Sequence, residues 1–205
     1  MSQIRTIVLA SASPRRKKLF ELMNIPVQVS PSSIEETVND QLSPSEVVVS
    51  LAEQKGSDVA TGLSEAIVIS ADTIVVHKNK ILGKPRNRDD AAAMLKALSG
   101  DDHFVYSGVH VIDQRAKDKI NRTVSLFERT KVSFSTLDDL EIERYIDTGS
   151  PMDKAGGYGI QDDLGSLFVN KIDGDYYNVV GFPINAFYQT LKHAHRDLHK
   201  QIFSL

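Results

Sequence analysis

The chain of 205 residues contains no cysteine. It can therefore form no disulfide, use no thiolate nucleophile and hold no cysteine-bound zinc or iron–sulfur site. A chain without cysteine also fits a reducing compartment, and we expect a cytoplasmic protein.

Long apolar runs are also missing. No stretch approaches the roughly 20 apolar residues that a membrane-spanning helix needs. Near the N-terminus the apolar part covers only residues 7–10, which is far shorter than the core of a signal peptide. We expect neither a membrane span nor a secretion signal.

An excess of one charge is absent as well. The chain has 24 basic and 27 acidic side chains, a formal net charge of −3. This balance argues against an overall attraction to nucleic acid polymers or to anionic membranes. A local basic cluster could still bind a small anion.

Strands and helices alternate along the first half of the chain. Apolar runs predict buried strands, and serine or asparagine followed by proline or acidic residues marks helix starts. A hairpin is expected across residues 73–82. The predicted strands are 4–10, 27–30 and 66–70. The predicted helices are 14–23, opened by Ser13, and 43–60, opened by a capping box at Ser43. The first helix should bury Leu22 and end at a left-handed Asn24.

The second half is richer in strands. Residues 103–112 and 123–134 form two long predicted strands joined by a polar loop, and residues 167–172 form a third, followed by a turn at residues 173–174. Helices are expected after Asn87, after a capping motif at residues 136–139, and from Pro183 to beyond Leu198. The order predicts one α/β domain over residues 1–205, with a mixed sheet and a second lobe.

Residues 11–18 form the first candidate site, where a strand passes into a helix. Free backbone N–H groups and the helix dipole favour an anion at such a point. The serine hydroxyls of this turn, such as that of Ser11, and the guanidinium groups of Arg15 and Arg16 can bind phosphate oxygens. The alternative is a capped surface helix with a solvated basic face.

Two carboxylates could serve a metal or a general base. Asp72 follows the apolar run 66–69, and ligands of open α/β sheets gather beyond the carboxyl ends of strands. Glu36 stands in a pair of acidic residues after another strand, and carboxylate oxygens suit Mg²⁺. The alternatives are a turn-forming aspartate and a solvated acidic loop.

Single lysines and a glycine-rich segment complete the candidates. Lys55 lies within a predicted helix and Lys84 in a constrained turn, where either could neutralise a phosphate. Both could equally be surface lysines. Gln161 ends the glycine-rich residues 153–161, and its amide is suited to a nucleobase edge. A flexible surface loop is the alternative, although Tyr158 and Ile160 are unusual in one.

Several common signatures are absent, among them the Walker P-loop, the G-x-S-x-G nucleophile turn and the H-E-x-x-H zinc motif. His195 and His199 are spaced for metal binding on a helix. We expect them instead on the solvated face of the last helix, where they complement its dipole.

Taken together, five stretches resemble the Maf family of nucleoside triphosphate pyrophosphatases. Each is weak alone, but they occur in the family order and span almost the whole chain. They are residues 9–16 (Leu-Ala-Ser-Ala-Ser-Pro-Arg-Arg), 71–73 (Ala-Asp-Thr), 82–85 (Leu-Gly-Lys-Pro), 153–161 (Asp-Lys-Ala-Gly-Gly-Tyr-Gly-Ile-Gln) and 173–183 (Asp-Gly-Asp-Tyr-Tyr-Asn-Val-Val-Gly-Phe-Pro).

The resemblance implies a mixed α/β fold with helices flanking a twisted sheet and a cleft between two lobes, related to inosine triphosphate pyrophosphatases. It also implies a metal-dependent, usually dimeric enzyme. Arg15, Thr73 and Gln161 look like the subgroup acting on dTTP and UTP rather than the subgroup that prefers 7-methyl-GTP. Gly157, where alanine is common, and residues 162–163, where glycine is usual, depart from the pattern and could extend the range towards CTP or modified pyrimidines.

The implied reaction is hydrolysis of the α–β phosphoanhydride to a nucleoside monophosphate and pyrophosphate. Glu36 and Asp72 would bind Mg²⁺ or Mn²⁺, and Asp72 would also orient or deprotonate water. The triphosphate would be held by Ser11, Arg15, Lys55 and Lys84, and the base selected by Thr73 and Gln161. Competing hypotheses are a pyrophosphatase for 7-methyl-GTP or another non-canonical purine triphosphate, and a non-catalytic nucleotide-binding regulator of cell division.

Overall fold

Helices flank a mixed β-sheet in the computed structural model, which describes residues 5–115, 122–162 and 164–203. Within these residues the sheet has seven strands in the order β2-β1-β3-β5-β6-β7, with β4 paired to β3. β1 runs parallel to β2 and β3, whereas β3–β4 and β6–β7 are antiparallel. The mixed α/β class predicted from the sequence is confirmed.

The strands vary widely in length, from a two-residue pairing to 13-residue ladders. They are β1 Ile7–Ala10, β2 Gln28–Val29, β3 Ala66–His77, β4 Lys80–Leu82, β5 Asp102–Gln114, β6 Arg122–Phe134 and β7 Val169–Asp173.

The helices include two short ones near the glycine-rich segment, which also contains 3₁₀ turns at Ser150–Asp153 and Ala155–Gly157. Among the described helices, none combines the length and the apolar character that crossing a bilayer demands. The helices are α1 Pro14–Leu22, α2 Pro44–Thr61, α3 Arg88–Leu98, α4 Asp139–Asp147, α5 Gly165–Phe168, α6 Tyr176–Val180, α7 Ile184–Ala194 and α8 Arg196–Phe203.

The chain divides into two compact units. The first unit comprises Met1–Asp72, Ser107–Glu128 and Gly181–Leu205, and the second comprises Thr73–Tyr106 and Arg129–Val180. Three long strands, β3, β5 and β6, contribute residues to both units. The single cleft between two lobes stays a prediction.

The core of the first unit combines buried strands with an aromatic cluster. β1 is buried along its whole length, as is the first part of β3 from Ala66 to Ala71. The ring of Phe182 packs edge-on against Phe20 and Phe187, with centroid distances of 5.0 and 5.2 Å. Burial of these surfaces stabilises the unit.

The core of the second unit is built around α3, α4 and a buried histidine. Leu95 of α3 and Tyr145 of α4 are fully buried. The imidazole of His103 lies edge-on to the rings of Phe134 and Tyr158, and its Nε2 is 2.7 Å from the hydroxyl of Tyr158. This polar pair is enclosed by apolar side chains.

One strand is longer than the sequence indicated. Residues 66–70 and 73–77, predicted as two strands, form the single strand β3. The β-branched residues Ile74 to Val76 continue the pattern of buried positions, so Asp72 lies within a strand and not in a turn.

Two helices differ from their predictions in cap or in buried face. α4 begins with a capping box between Asp138 and Glu141, not within residues 136–139, and Leu140 is exposed because Ile142 occupies the inward face. In α1, Leu22 was expected inside, but 61% of it is exposed and Phe20 is buried in its place. The start of α1, capped by Ser13, is as predicted.

The C-terminal third shows four further corrections. The predicted last helix is two helices, because the backbone leaves helical geometry at His195 (φ −137°, ψ 54°). His199 is buried against the rings of Tyr188 and Phe203, so the expectation of a solvated face was wrong for it. The chain after residues 173–174 forms α6 and not a hairpin partner, and residues 167–168 belong to α5.

The expected loop over residues 113–122 is shorter at both ends, because residues 113–114 belong to β5 and residue 122 to β6. Its central part, residues 116–121, lies outside the described residues, as does Asp163 of the glycine-rich region.

We expect acid to destabilise the second unit through His103. Burial, with a smaller contribution from the nearby His77, lowers the pKa of His103 to about 4, although Asp102 and Asp101 oppose the shift. The unfolded chain takes up this proton near pH 6.5, so stability is complete above that pH and falls as the pH drops towards 4. The total loss is at most about 3 kcal/mol.

Urea unfolding of the wild type and His103→Gln at several pH values tests this expectation. The variant should lose less of its unfolding free energy between pH 7 and pH 4.5, whereas His193→Gln, which changes an exposed histidine, should behave as the wild type. An identical acid dependence in all three proteins would contradict the assignment.

Candidate functional site

The turn between β1 and α1 is fixed by two serines. The hydroxyl of Ser13 caps α1 by accepting the N–H of Arg16, and Pro14 occupies the first helical turn. Ser11 is buried, and its Oγ accepts the N–H of Ser13 at 3.2 Å. The predicted N-terminal turn therefore forms, with its serine hydroxyls directed to the backbone.

Arg16 holds this turn against the C-terminal part of the first unit. Its Nε donates to the carbonyl oxygen of Gly181 at 2.9 Å, and its Nη1 donates to Ser11 Oγ at 3.1 Å. Burial lowers the pKa of Arg16; the negative charge of Asp72 raises it, and the charge of Arg15 lowers it further. The guanidinium is thus partly desolvated within the electrostatic reach of a carboxylate.

Lys55 is paired with both candidate metal ligands. Its Nζ lies 2.5 Å from Asp72 Oδ1 and 3.1 Å from Glu36 Oε1. The side chains of Lys55 and Asp72 are 16% and 14% exposed, whereas that of Glu36 is 43% exposed. The sequence analysis treated Lys55 as a candidate for phosphate binding and the two carboxylates as separate candidates for metal binding. In the structure all three side chains lie in one cluster.

A close approach of α2 to β3 brings Lys55 to Asp72. A Cβ at Gly56 would lie 2.6 Å from Ser70 Oγ, so this position accepts only glycine at the observed spacing. Ser70 Oγ donates to the carbonyl oxygen of Ala52 at 2.6 Å and fastens the helix to the strand. Because side chains two residues apart share a strand face, Asp72 lies on the same face as Ser70.

The loop bearing Glu36 is held against α2 by side-chain amides. Gln54 Oε1 accepts the N–H of Thr37 at 3.0 Å, and Gln54 Nε2 donates to the carbonyl oxygen of Thr37 at 2.9 Å. Ser32 Oγ donates to Asp58 at 2.8 Å. These bonds fix the backbone on both sides of Glu36, although the residues around it form no helix or strand.

The remaining candidates belong to the second unit. Lys84 is exposed, and the preceding carbonyl of Gly83 accepts the N–H of Gly156 at 3.0 Å, which joins the loop of Lys84 to the glycine-rich segment. Gln161 is exposed at the far end of that segment. Thr73 is half-buried in β3, directly after Asp72.

The family resemblance singled out Arg15 from the basic run and gave Arg16 no role. Two adjacent arginines cannot be separated by composition, because only the path of the chain decides which one meets Ser11 and Gly181. The spacing of Ser13 as helix cap could have helped, since it places Arg16 at the third helical position, beside the turn.

The carboxylate pair is a reasonable partial ligand set for a divalent cation. Glu36 and Asp72 converge on one cationic atom, the ammonium nitrogen of Lys55. Among the described residues there is no group of three or more histidine, aspartate or glutamate side chains that could hold a metal. Mg²⁺ commonly takes only one or two carboxylates and completes its shell with water and substrate phosphates, so the two present fit.

The first unit thus contains a helix N-terminus, which favours anions, and a cluster of one ammonium and two carboxylates. The family model described as Maf-like protein matches residues 6–194. The chain belongs to the Maf family.

Named relatives are similar over nearly their whole length. Proteins called dTTP/UTP pyrophosphatase from Bacillus anthracis, Bacillus cereus and Bacillus thuringiensis are each 50% identical over 195 residues, which are 95% of this chain and 98% of the relative. Among solved structures, the Staphylococcus aureus Ham1 protein aligns with a TM-score of 0.42 and 15% identity over 64% of this chain and 72% of that chain, too weak a likeness to support an argument.

We expect Arg16→Lys to destabilise the protein by about 1–3 kcal/mol, the scale of hydrogen bonds from a charged group. A lysine ammonium cannot reproduce the two directed bonds to Ser11 and Gly181. Chemical unfolding measures the loss. Lys17→Ala, at an exposed position of the same basic run, serves as the control and should change stability by less than ~0.5 kcal/mol. Equal effects of the two substitutions would contradict the anchoring role of Arg16.

Proposed function

We propose that the chain is a nucleoside triphosphate pyrophosphatase that hydrolyses dTTP and UTP to the monophosphate and pyrophosphate. The observation that carries this proposal is the cluster of Lys55, Asp72 and Glu36, in which one ammonium and two carboxylates converge. The names of the Bacillus relatives support the substrate class.

We assign binding of the triphosphate to basic and hydroxyl groups. Phosphoryl transfer depends mainly on positioning and on neutralising charge at the phosphate oxygens. In this proposal Lys55, Arg15 and Lys84 supply positive charge, and Ser11 shapes the turn at the start of α1. Arg16 supports that turn by anchoring Ser11.

The carboxylate role combines metal binding with water activation. Glu36 and Asp72 would hold Mg²⁺ or Mn²⁺, whose charge would neutralise the phosphate oxygens when bound. Asp72 is the less exposed of the two, and it is held in place by a strand and by Lys55. It is therefore the better candidate to accept the proton of the attacking water.

We assign recognition of the nucleobase to residues of the second unit. The amide of Gln161 can donate and accept at once, as the edge of uracil or thymine requires. Thr73 is proposed to assist it. The departures at Gly157 and at residues 162–163 leave CTP and modified pyrimidines as further substrates to measure.

Location and assembly are also part of the proposal. A chain without cysteine suits the cytoplasm. The family resemblance supports a homodimer. The binding partner is proposed to be a nucleoside triphosphate, and neither a nucleic acid polymer nor a membrane. Light scattering coupled to gel filtration would measure the mass of the assembly in solution.

Pyrophosphate release from a panel of canonical and modified triphosphates tests the proposed reaction. With Mg²⁺ or Mn²⁺ the wild type should release pyrophosphate from dTTP and UTP, and EDTA should abolish the release. Asp72→Asn, which keeps size but removes charge, should lower the rate by at least ~10²-fold because acid–base catalysis is lost.

Other results of this assay would support a different function or a different catalytic residue. Release mainly from 7-methyl-GTP or ITP would retain the reaction and overturn the pyrimidine assignment. Binding without release would favour a nucleotide-binding regulator of cell division. Near-normal turnover by Asp72→Asn would show that Asp72 takes no part in the chemical step.

We also expect Lys55 to compete with the divalent cation. Lys55→Met leaves two carboxylates without their ammonium, so Mn²⁺ should bind the nucleotide-free protein at least about fivefold more tightly, since a nearby like charge is removed. Isothermal titration calorimetry measures this affinity directly. Lys17→Met, which changes an exposed lysine, is the control. Unchanged or weaker Mn²⁺ binding by Lys55→Met would place the metal elsewhere.

A further inference from the structure

Lys154 is a buried cation that the proposed reaction does not use. Only 7% of the residue is exposed. Its Nζ lies 2.5 Å from the carbonyl oxygen of Ser150, 2.6 Å from Asp153 Oδ1 and 2.7 Å from Asp162 Oδ2. An ammonium has three N–H donors, and here three oxygens surround it. Lys154 is therefore occupied within its own unit.

Asp162 closes the loop that presents Gln161. Its carboxylate is 20% exposed and reaches back to Lys154, eight positions earlier in the chain. Among the described residues, Asp162 Oδ2 makes no aligned hydrogen bond, so the contact with Lys154 is an ion pair. Removing the charge without changing the size should therefore release the loop.

Asp162 and Lys154 pack so closely against Gly159 that the loop has no room for a side chain there. A Cβ there would lie 2.3 Å from Asp162 Oδ2 and 2.7 Å from Lys154 Cε. The N–H of Gly159 donates to the hydroxyl of Tyr145 at 3.1 Å, which anchors the loop on the core. The carbonyl of Asp162 accepts the N–H of Ser166 at 2.8 Å, which anchors its other end.

Gln161 lies between these anchored residues and is itself exposed. Its backbone is thus held at both ends, while its amide extends towards solvent. A glutamine amide pairs with uracil in one orientation and with cytosine in the reversed one. A loop that shifts could present the amide to either base edge, whereas a fixed loop favours one.

We propose that Asp162, through its ion pair with Lys154, is a positioning residue that holds Gln161 and sets the preference for uracil over cytosine. This inference rests on the proposed role of Gln161 as the reader of the base. We refer to the ion pair of Asp162 with Lys154 as the loop clamp. The loop clamp itself does not touch the nucleotide.

Binding of non-hydrolysable nucleotides separates base preference from turnover. The α,β-imido analogues of UTP and CTP are titrated into wild type and Asp162→Asn with Mg²⁺ in a calorimeter. The variant should bind the UTP analogue about five- to tenfold more weakly, the scale of one hydrogen bond, and the CTP analogue within about twofold of wild type. On UTP itself its KM should rise while kcat stays within about twofold.

The matched control is Asp153→Asn. Asp153 also pairs with Lys154, but its side chain is 59% exposed and it is not next to Gln161. The control should keep the wild-type ratio of the two affinities. Equal loss of the ratio in both variants would show that Lys154 needs its full set of partners, and would overturn a specific role for Asp162.

A double-mutant comparison tests whether Asp162 acts through Gln161. Gln161→Ala should abolish the preference for the UTP analogue, and adding Asp162→Asn should then have no further effect on the ratio. Additive effects would overturn the proposal. Should Asp162→Asn fail to fold, as judged by circular dichroism, Asp162→Ser removes the same charge with less bulk and gives the same test.

The outcome also distinguishes this inference from the proposed function. Wild-type protein that binds neither analogue overturns the proposed function and the loop clamp with it. Wild-type protein that binds the two analogues equally overturns the loop clamp and the role of Gln161 in base selection, but leaves a pyrimidine nucleotide as the substrate. A wild-type preference for the UTP analogue that survives Asp162→Asn overturns only the loop clamp.

Discussion

The first unit depends on how closely α2 can approach β3. Gly56 and Ser70 meet where a side chain on the helix would collide with the strand, and the hydroxyl of Ser70 fastens the two elements through Ala52. Lys55 is the neighbour of Gly56, and Asp72 shares a strand face with Ser70. The ion pair between Lys55 and Asp72 therefore follows from a packing contact one residue away, and Glu36 joins it from a loop that α2 also holds.

Two charged clusters in this protein differ in what their ammonium groups can do. In the function proposed above, Lys55 lies between two carboxylates that could exchange it for a divalent cation, and it is then available for substrate chemistry. Lys154 is enclosed by Ser150, Asp153 and Asp162 and remains structural. The two clusters use the same type of side chain. They differ because Lys154 is the more deeply buried lysine and has three oxygens around its ammonium group, whereas Lys55 has two.

Local signals in the sequence predicted the helix starts well. Serine caps followed by proline, the capping box at Ser43 and the left-handed residue Asn24 are properties of a few neighbouring residues, and all appear in the structure. The mixed α/β class and the family were likewise predictable from apolar runs and from five ordered stretches.

Features that depend on distant partners were not predictable. The anchoring of the turn by Arg16 depends on the carbonyl of Gly181, 165 positions along the chain. The inward turn of Phe20 instead of Leu22 is decided by Phe182 and Phe187. The continuity of β3 through Asp72 required knowledge of its neighbours in the sheet, because a polar residue in an apolar run reads as a turn.

Gly56 has a consequence for the evolution of this chain. Glycine inside a helix costs up to about 1 kcal/mol relative to alanine, so α2 would fold more readily on its own with almost any other small residue. The same change would press a methyl group into Ser70 and move Lys55 away from Asp72. A substitution that strengthens α2 by itself would therefore weaken the packing of the whole unit, and we expect this position to remain glycine as the chain evolves.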